Sequence, residues 1–338
     1  MRVAIVHDDL VQWGGAERVL LGLCEVYPDA PIFTSVFDKN SKVLKDKFGS
    51  KKIITSFLNS IPRWRSMYKA LLPLYPIAFE QFVFDDFDLV ISHTTRFAKA
   101  IITKPKTLHI CYCHSPPRFL WRLSDPKNYG ILEFVMSKLR IYDRVSSARV
   151  DHFIAGSKNA KKRIKKIYRR ESRLVYPFID LERFENVETF DGGYFLVIAR
   201  QNEYKKVDLA NSACKEIGIP LKIISGGLDD ETIVKILAGC RALIIPGIED
   251  FGLASLEAQA LGKQVIAYKD GGALETVIDG RTGFLFTEQS VDSLVDALKH
   301  FNYANNRNRV TDCINNAKAF SKENFIHKFK QTVNSLLY

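Results

Sequence analysis

Residues 242–268 read ALIIPGIEDFGLASLEAQALGKQVIAY, and this stretch decides the fold. Ala242–Ile245 is a short, wholly apolar run, as expected of a strand buried on both faces. Pro246 and Gly247 end it, Ser255–Leu261 has apolar residues at helical spacing, and Gln264–Tyr268 is a second apolar run. A strand, a loop, a helix and another strand form a βαβ unit, whose two strands run parallel.

The same alternation extends in both directions. Tyr194–Ala199 and Leu221–Ser225 read as strands, with helices over Lys205–Glu216, Glu231–Leu237 and Val291–Phe301. An earlier series has strands at Val3–Val6, Leu89–Ser92, Thr107–Cys111 and Phe153–Ala155, with helices at Glu17–Val26 and Leu132–Val150. The prediction is an α/β protein of two doubly wound parallel sheets, each Rossmann-like. The boundary falls near residues 178–190, and the polar stretch Glu185–Gly193 precedes the second series. This predicts an N-terminal domain over 1–180 and a C-terminal domain over 181–320, with a helix at 321–338 packing back on the first. A length of 338 residues agrees, at roughly 150 residues per domain.

Hydrophobic residues make up 46% and charged residues 26%, which excludes a disordered chain. The 49 Lys+Arg against 38 Asp+Glu leave +11, a statement about anionic partners and not about fold. The apolar run at the N-terminus is too short for a secretory signal, and no stretch approaches a membrane span. The six cysteines lie in apolar contexts without metal or redox spacing and read as reduced, buried thiols. These features predict a cytoplasmic location.

In doubly wound sheets ligands bind at the carboxyl ends of the strands, and two such domains facing each other would form a cleft. Unusual residues concentrate in the loops there. Gly14-Gly15 opens a helix, where free backbone N–H groups suit an anion, although a plain turn reads the same way. It lacks the third glycine of a dinucleotide fingerprint, which argues against a nicotinamide cofactor. Arg200 and Lys205 follow the strand Tyr194–Ala199 and are placed to hold a diphosphate, one as a fork and one as a point charge. Glu249 and Glu257 flank Phe251, Gly252 and Leu253, and carboxylates accept hydrogen bonds from vicinal sugar hydroxyls. Gly271-Gly272 opens another helix.

Taken together, Arg200 to Phe286 resembles the retaining nucleotide-sugar glycosyltransferases of family four, which have the GT-B architecture. The markers are Arg200…Lys205, "PGIEDFGLASLEAQALG" and "GGALETVIDGRTGFLF"; "GGAERV", "HSPPRF", "AGSKNA" and "YPFIDLERF" carry the likeness through the first half. Within the family the chain looks most like mannosyltransferases of bacterial surface-polysaccharide assembly. The resemblance assigns Arg200 and Lys205 to the donor diphosphate, Glu257 to the ribose and Glu249 to the transferred sugar. Phe251, Gly252 and Leu253 would lie beside that sugar, His114 near the reacting centre, and Gly15 beneath the diphosphate. Gly271 and Gly272 complete the donor loops. It implies a retaining, metal-independent transfer of a hexose from a nucleoside-diphosphate sugar, with no cofactor. GDP-mannose is favoured, but a UDP-sugar stays open. Family members commonly carry an extra helix and strand after the position of Gly227, near the base pocket, and this chain does not.

Asp86 and Asp88 form an Asp-x-Asp pair, the metal motif of the other large glycosyltransferase class, but they precede the strand Leu89–Ser92 and so sit at its wrong end. Between Lys158 and Arg173 there are nine basic residues against the single acid Glu171, with apolar residues at helical spacing. The segment Phe57–Phe84 mixes basic and aromatic residues as interfacial segments do. Both predict a peripheral protein on the inner face of the cell membrane, with an anionic lipid surface and a lipid-linked or glycan acceptor as partners and no nucleic acid. The competing readings are a non-enzymatic membrane- or nucleic-acid-binding protein using 158–173, and a nucleotide-cofactor oxidoreductase. His109 reads as a satisfied core residue, while His93, at the carboxyl end of its strand, could line the cleft.

Overall fold

A computed structural model describes residues 1–67, 70–123, 130–199, 203–301 and 307–337. The chain divides into two compact units, one of Met1–Tyr176 with Ile326–Tyr338, the other of Pro177–Phe325.

The first unit is built on a seven-stranded, wholly parallel sheet. Its strands are β1 (Val3–His7), β2 (Ile32–Thr34), β3 (Ile53–Thr55), β4 (Leu89–Thr94), β5 (Leu108–Cys113), β6 (His152–Ala155) and β7 (Ser172–Leu174), in the order β3-β2-β1-β4-β5-β6-β7. The strand order reverses between β1 and β4, the place where doubly wound sheets open a crevice. The continuous apolar runs are explained by burial: Ala4, Ile5, Val6, Leu89, Val90 and Ile91 are all fully enclosed. The aromatic residues of 57–84 belong to this core. Trp64, Tyr75, Phe79, Phe82 and Phe84 pack with Phe33 and Val90, which corrects the interfacial reading of that segment. Composition alone does not separate an interfacial aromatic from a core one.

The second unit has a five-stranded parallel sheet of β8 (Tyr194–Ile198), β9 (Leu221–Ile224), β10 (Cys240–Ile245), β11 (Gln264–Tyr268) and β12 (Gly283–Phe286), ordered β12-β11-β10-β8-β9. Here the reversal falls between β8 and β10. Helices cover both faces: Asp230–Gly239 and Leu253–Ala260 pack on one, Val207–Glu216 and Val291–His300 on the other. β9 is one of the two edge strands and leads directly into the helix Asp230–Gly239.

The basic helix is shorter than 158–173. It runs Lys158–Tyr168, capped by the Ser157 hydroxyl at the Ala160 N–H, and stops where Arg169 takes φ +58°; Ser172–Leu174 is then a strand. Several cations of 158–173 are engaged within the unit. Arg170 donates to the carbonyls of Ser147, Val150 and Asp151, Arg163 to the Ser115 hydroxyl, and Arg173 to the Ser335 hydroxyl. All six cysteines are free and buried, and burial pushes the Cys24 and Cys240 thiols up to about 12. Among the described residues no helix is long and apolar enough to cross a membrane.

Candidate active site

At the strand reversal of the second unit, three loops lock together. Lys205 ends a short helical turn after β8, and Lys206, at φ +51°, redirects the chain into the helix Val207–Glu216. Glu249 lies in the loop after β10, and the Lys205 Nζ donates to its Oε1 at 2.5 Å. Both side chains keep some exposure, 16% and 21%. Glycines let the loops approach. A Cβ on Gly247 would meet the Tyr204 carbonyl oxygen at 2.2 Å, and one on Gly272 would meet that of Phe251 at 2.2 Å. The Gly272 N–H also donates to the Glu249 carbonyl at 2.9 Å, tying the loop after β11 to the loop after β10.

Gly252 sits at φ +93°, a conformation that only glycine takes without strain, and starts the helix Leu253–Ala260. Phe251 is buried beside it, its ring 5.6 Å from that of Phe320. Leu253 is half-buried and Gly271 turns at φ +62°. The structure therefore brings together Lys205, Glu249, Phe251, Gly252 and Gly272. The helix after Gly272, Ala273–Thr276, is a single turn, so its dipole is small. Arg200 lies outside the described residues.

Glu257 has a partner that the sequence reading missed. Arg183 donates to its Oε1 at 2.8 Å, and the same guanidinium stands 3.8 Å from Asp230. "LERF" carries Arg183 in plain sight, but nothing in its spacing ties it to a residue 74 positions away.

Gly15 and His114 belong to the first unit. Gly15 begins the helix Gly15–Val26, and His114 directly follows β5. His114 is half-buried and joins a row of rings. His7 and His93 are register partners on β1 and β4, with Nδ1 to Nδ1 2.9 Å; His93 Nε2 is 2.6 Å from His114 Nε2. His93 is fully buried, so it does not line an open surface. Burial, together with His114 and His7, holds it well below the usual imidazole range. Burial lowers His7 too, but Glu17, Asp8 and Asp9 outweigh it and leave His7 raised.

Next along the chain, Asp8 anchors the exit of β4, accepting N–H bonds from Thr95, Arg96, Phe97 and Ala98 at 2.6–2.9 Å. Arg96 pairs with Asp9 at 2.6 Å. His109 is a satisfied core residue, as its context predicts. It is bonded to Ser92 at 2.8 Å and its pKa is pushed down to about 4 by burial. Asp86 and Asp88 sit before β4, against Arg2. No cluster of three or more His, Cys, Asp or Glu able to hold a metal occurs among the described residues.

The family described as Glycosyltransferase Family 4 matches residues 13–183, more than half of the chain. The chain belongs to glycosyltransferase family 4. The description Glycosyl transferases group 1 matches residues 221–320. Among curated relatives, the alpha-1,3/1,6-mannosyltransferase alg2 of Schizosaccharomyces pombe is 23% identical over an alignment covering 84% of this chain and 70% of its own. The glycogen synthase of Pseudomonas aeruginosa is 34% identical over 111 residues, 32% of this chain. This chain spans only 21% of that synthase and 23% of the Dictyostelium discoideum mannosyltransferase ALG2.

Solved structures match along nearly the full length. Sucrose-phosphate synthase from Thermosynechococcus elongatus aligns with TM-score 0.74 and 16% identity, covering 100% of this chain and 99% of that one. Anabaena HepE in complex with UDP aligns with TM-score 0.69 and 14% identity, covering 99% and 100%. At these identities the likeness shows the fold, which is GT-B.

Proposed function

We propose that this family 4 chain is a retaining glycosyltransferase that moves a hexose, with mannose favoured, from a nucleoside-diphosphate sugar to an acceptor hydroxyl without a metal ion. GDP-mannose is the favoured donor, with a UDP-sugar as the alternative. The observation that carries the reading is the loop cluster at the β8/β10 reversal, where Lys205 and Glu249 meet over glycine-locked backbone.

Lys205 and Glu249 neutralise each other in their ion pair. When the donor enters, Lys205 would transfer its hydrogen bonds to the diphosphate, and Glu249 would turn to the sugar hydroxyls. Arg200 would add a second cation, and Glu257, held by Arg183, would accept from the ribose. The difficult step is departure of the diphosphate from an oxocarbenium-like carbon. Fixed cations that meet the charge as it develops lower that barrier more than they stabilise the ground state. His114 and Gly15 would act at the reacting sugar and the diphosphate. The mannosyltransferase relatives favour mannose, and the UDP-bound HepE structure keeps the second base open.

The acceptor reading is a lipid-linked or polysaccharide glycan at an anionic membrane on the cytoplasmic side. The helix Glu133–Ser146 exposes Phe134, Ile141 and Val145 together with Lys138, and Lys161, Lys162, Lys165 and Lys166 are exposed on the basic helix. Apolar side chains among cations that outnumber the acids, Glu171 pairing with Lys165, suit a lipid interface, at about 1 kcal/mol per basic residue near anionic lipid.

The test is a panel of nucleotide sugars scored by nucleotide release with and without chelator. Release from one donor, unchanged by chelator and lost in Glu257→Ala, is expected. Strict metal dependence, or wild-type activity in that variant, overturns the reading. Flotation with anionic and neutral vesicles tests the membrane part, and equal recovery from both removes it.

A further inference from the structure

The strand reversal of the first unit holds a feature that the transfer reaction leaves unused, a buried line of titratable side chains that ends at His114. Its geometry is specific. Glu17, on the first turn of the helix after β1, is 3% exposed, His7 is 3% and His93 is 0%. The Glu17 carboxyl lies 3.9 Å from His7 Nε2, and both that nitrogen and the Glu17 Oε2 are buried without a hydrogen bond. From His7 the contacts continue at 2.9 Å to His93 and at 2.6 Å from His93 to His114. The His7 and His93 rings stack at 5.0 Å, and Tyr112 lies against both His93 and His114. Only His114 reaches the outside. Its Nδ1 lies beside Gly156, where an added Cβ would be 3.5 Å away.

We propose that Glu17, His7 and His93 form a proton relay that sets the tautomer of His114 from inside the fold. The proposal rests on the reading of His114 as a residue at the reacting sugar, and it makes the three buried groups positioning residues. A neutral imidazole has one donor and one acceptor nitrogen, so each contact in the row dictates the next. When His7 is cationic, its Nδ1–H donates to His93 Nδ1. His93 then carries its hydrogen on Nε2 and donates to His114 Nε2, so His114 presents Nδ1–H. When His7 is neutral with its hydrogen on Nε2, the row reverses and His114 presents a bare Nδ1.

The two states differ by one proton. A proton taken up at His114 Nδ1 releases Nε2–H to His93 Nε2, and His93 passes its Nδ1–H to His7 Nδ1. The charge comes to rest on His7, beside the Glu17 carboxyl. Only N–H bonds form and break, and the reverse sequence returns the proton to whatever faces His114. The groups that face the row are Asp8 and Asp9 after β1, Glu17 on the helix, and Tyr112 on β5; Arg96 lies behind Asp9. The three carboxyl groups around His7 favour its cation, and burial between two other histidines keeps His93 neutral.

Histidine-specific nitrogen NMR on the full chain reads tautomers directly. Below the His7 transition the wild type should show a cationic His7, His93 protonated on Nε2 and His114 on Nδ1. Raising the pH through the His7 transition should flip His114 in step. Glu17→Gln should move the His7 transition to lower pH and carry the His114 flip with it, and His93→Gln should uncouple His114 from His7. A His114 tautomer that ignores the His7 transition overturns the relay, and this arm needs only the wild-type chain. With the favoured donor, Glu17→Gln should lower kcat about tenfold with KM unchanged and displace the pH profile of kcat. Coupled tautomers with unchanged kinetics would instead remove His114 from the reaction and leave the relay standing.

Discussion

Each unit concentrates its polar chemistry at the same topological place, where the strand order of a parallel sheet reverses, but the two units build it differently. At β8/β10 the polar side chains are on loops, held by backbone contact across Gly247 and Gly272, with the Lys205 and Glu249 charges still partly exposed. At β1/β4 it is on the strands themselves, as His7 and His93 in register, enclosed and linked to the outside through one ring. The first design positions by excluding side-chain atoms, the second by filling the space with them. Six of the seven histidines, all except His300, fall in the first unit. Sensitivity to pH should therefore reside there, and sensitivity to bulk in the second unit.

Gly272→Ala breaks the loop design most severely. Its methyl would meet Phe251 backbone at 2.2–2.4 Å with no flexible side-chain end to yield. A loss of about 3 kcal/mol, with turnover abolished, is expected from thermal unfolding and nucleotide release. Lys205→Ala removes charge but no packing constraint. Turnover should fall roughly 10²–10³-fold while the melting temperature stays near wild type. A large thermal loss there would mean that the cation holds the loops and does not serve the ligand.

The buried histidines sharpen the other side. His109 titrates near 4 when folded against 6.5 ordinarily, so the unfolded chain takes up the proton first as pH falls. Its contribution, complete above pH 6.5, is lost between 6.5 and 4 and amounts to about 3 kcal/mol. Denaturant unfolding at pH 7, 5.5 and 4 reads it, and His109→Gln should flatten that slope. The smallest effect belongs to Glu171→Gln. Its pair with Lys165 at 2.7 Å is on the surface, with side chains 73% and 67% exposed, and its removal should leave the melting temperature unmoved.

The long strands and their helices are legible in the sequence because burial on two faces makes most of each strand apolar. β2, β3 and β7 are not. Each has three residues, too few to show a period, and β7 reads Ser-Arg-Leu, polar enough to pass for the end of the basic helix. The loop cluster was half visible. Lys205, Glu249 and the glycines stand out by type, while the fact that Gly247 exists to admit Tyr204 needs coordinates. The histidine row was the least visible, since His7 and His93 are 86 residues apart and only the β1–β4 register makes them neighbours.

The helix Lys322–Leu337 passes from one unit to the other: Phe325 packs on Phe178, and Phe329 on Tyr112. In order of synthesis, residues 326–337 emerge after the whole second unit, although their place is in the first. A ribosome making this chain therefore exposes a first sheet that is still missing its last cover, and Tyr112, which flanks His93 and His114, waits for Phe329. The second unit, contiguous from Pro177 to Phe325, can close without waiting. During translation the Tyr112 ring thus gains its Phe329 neighbour only after the second unit has emerged.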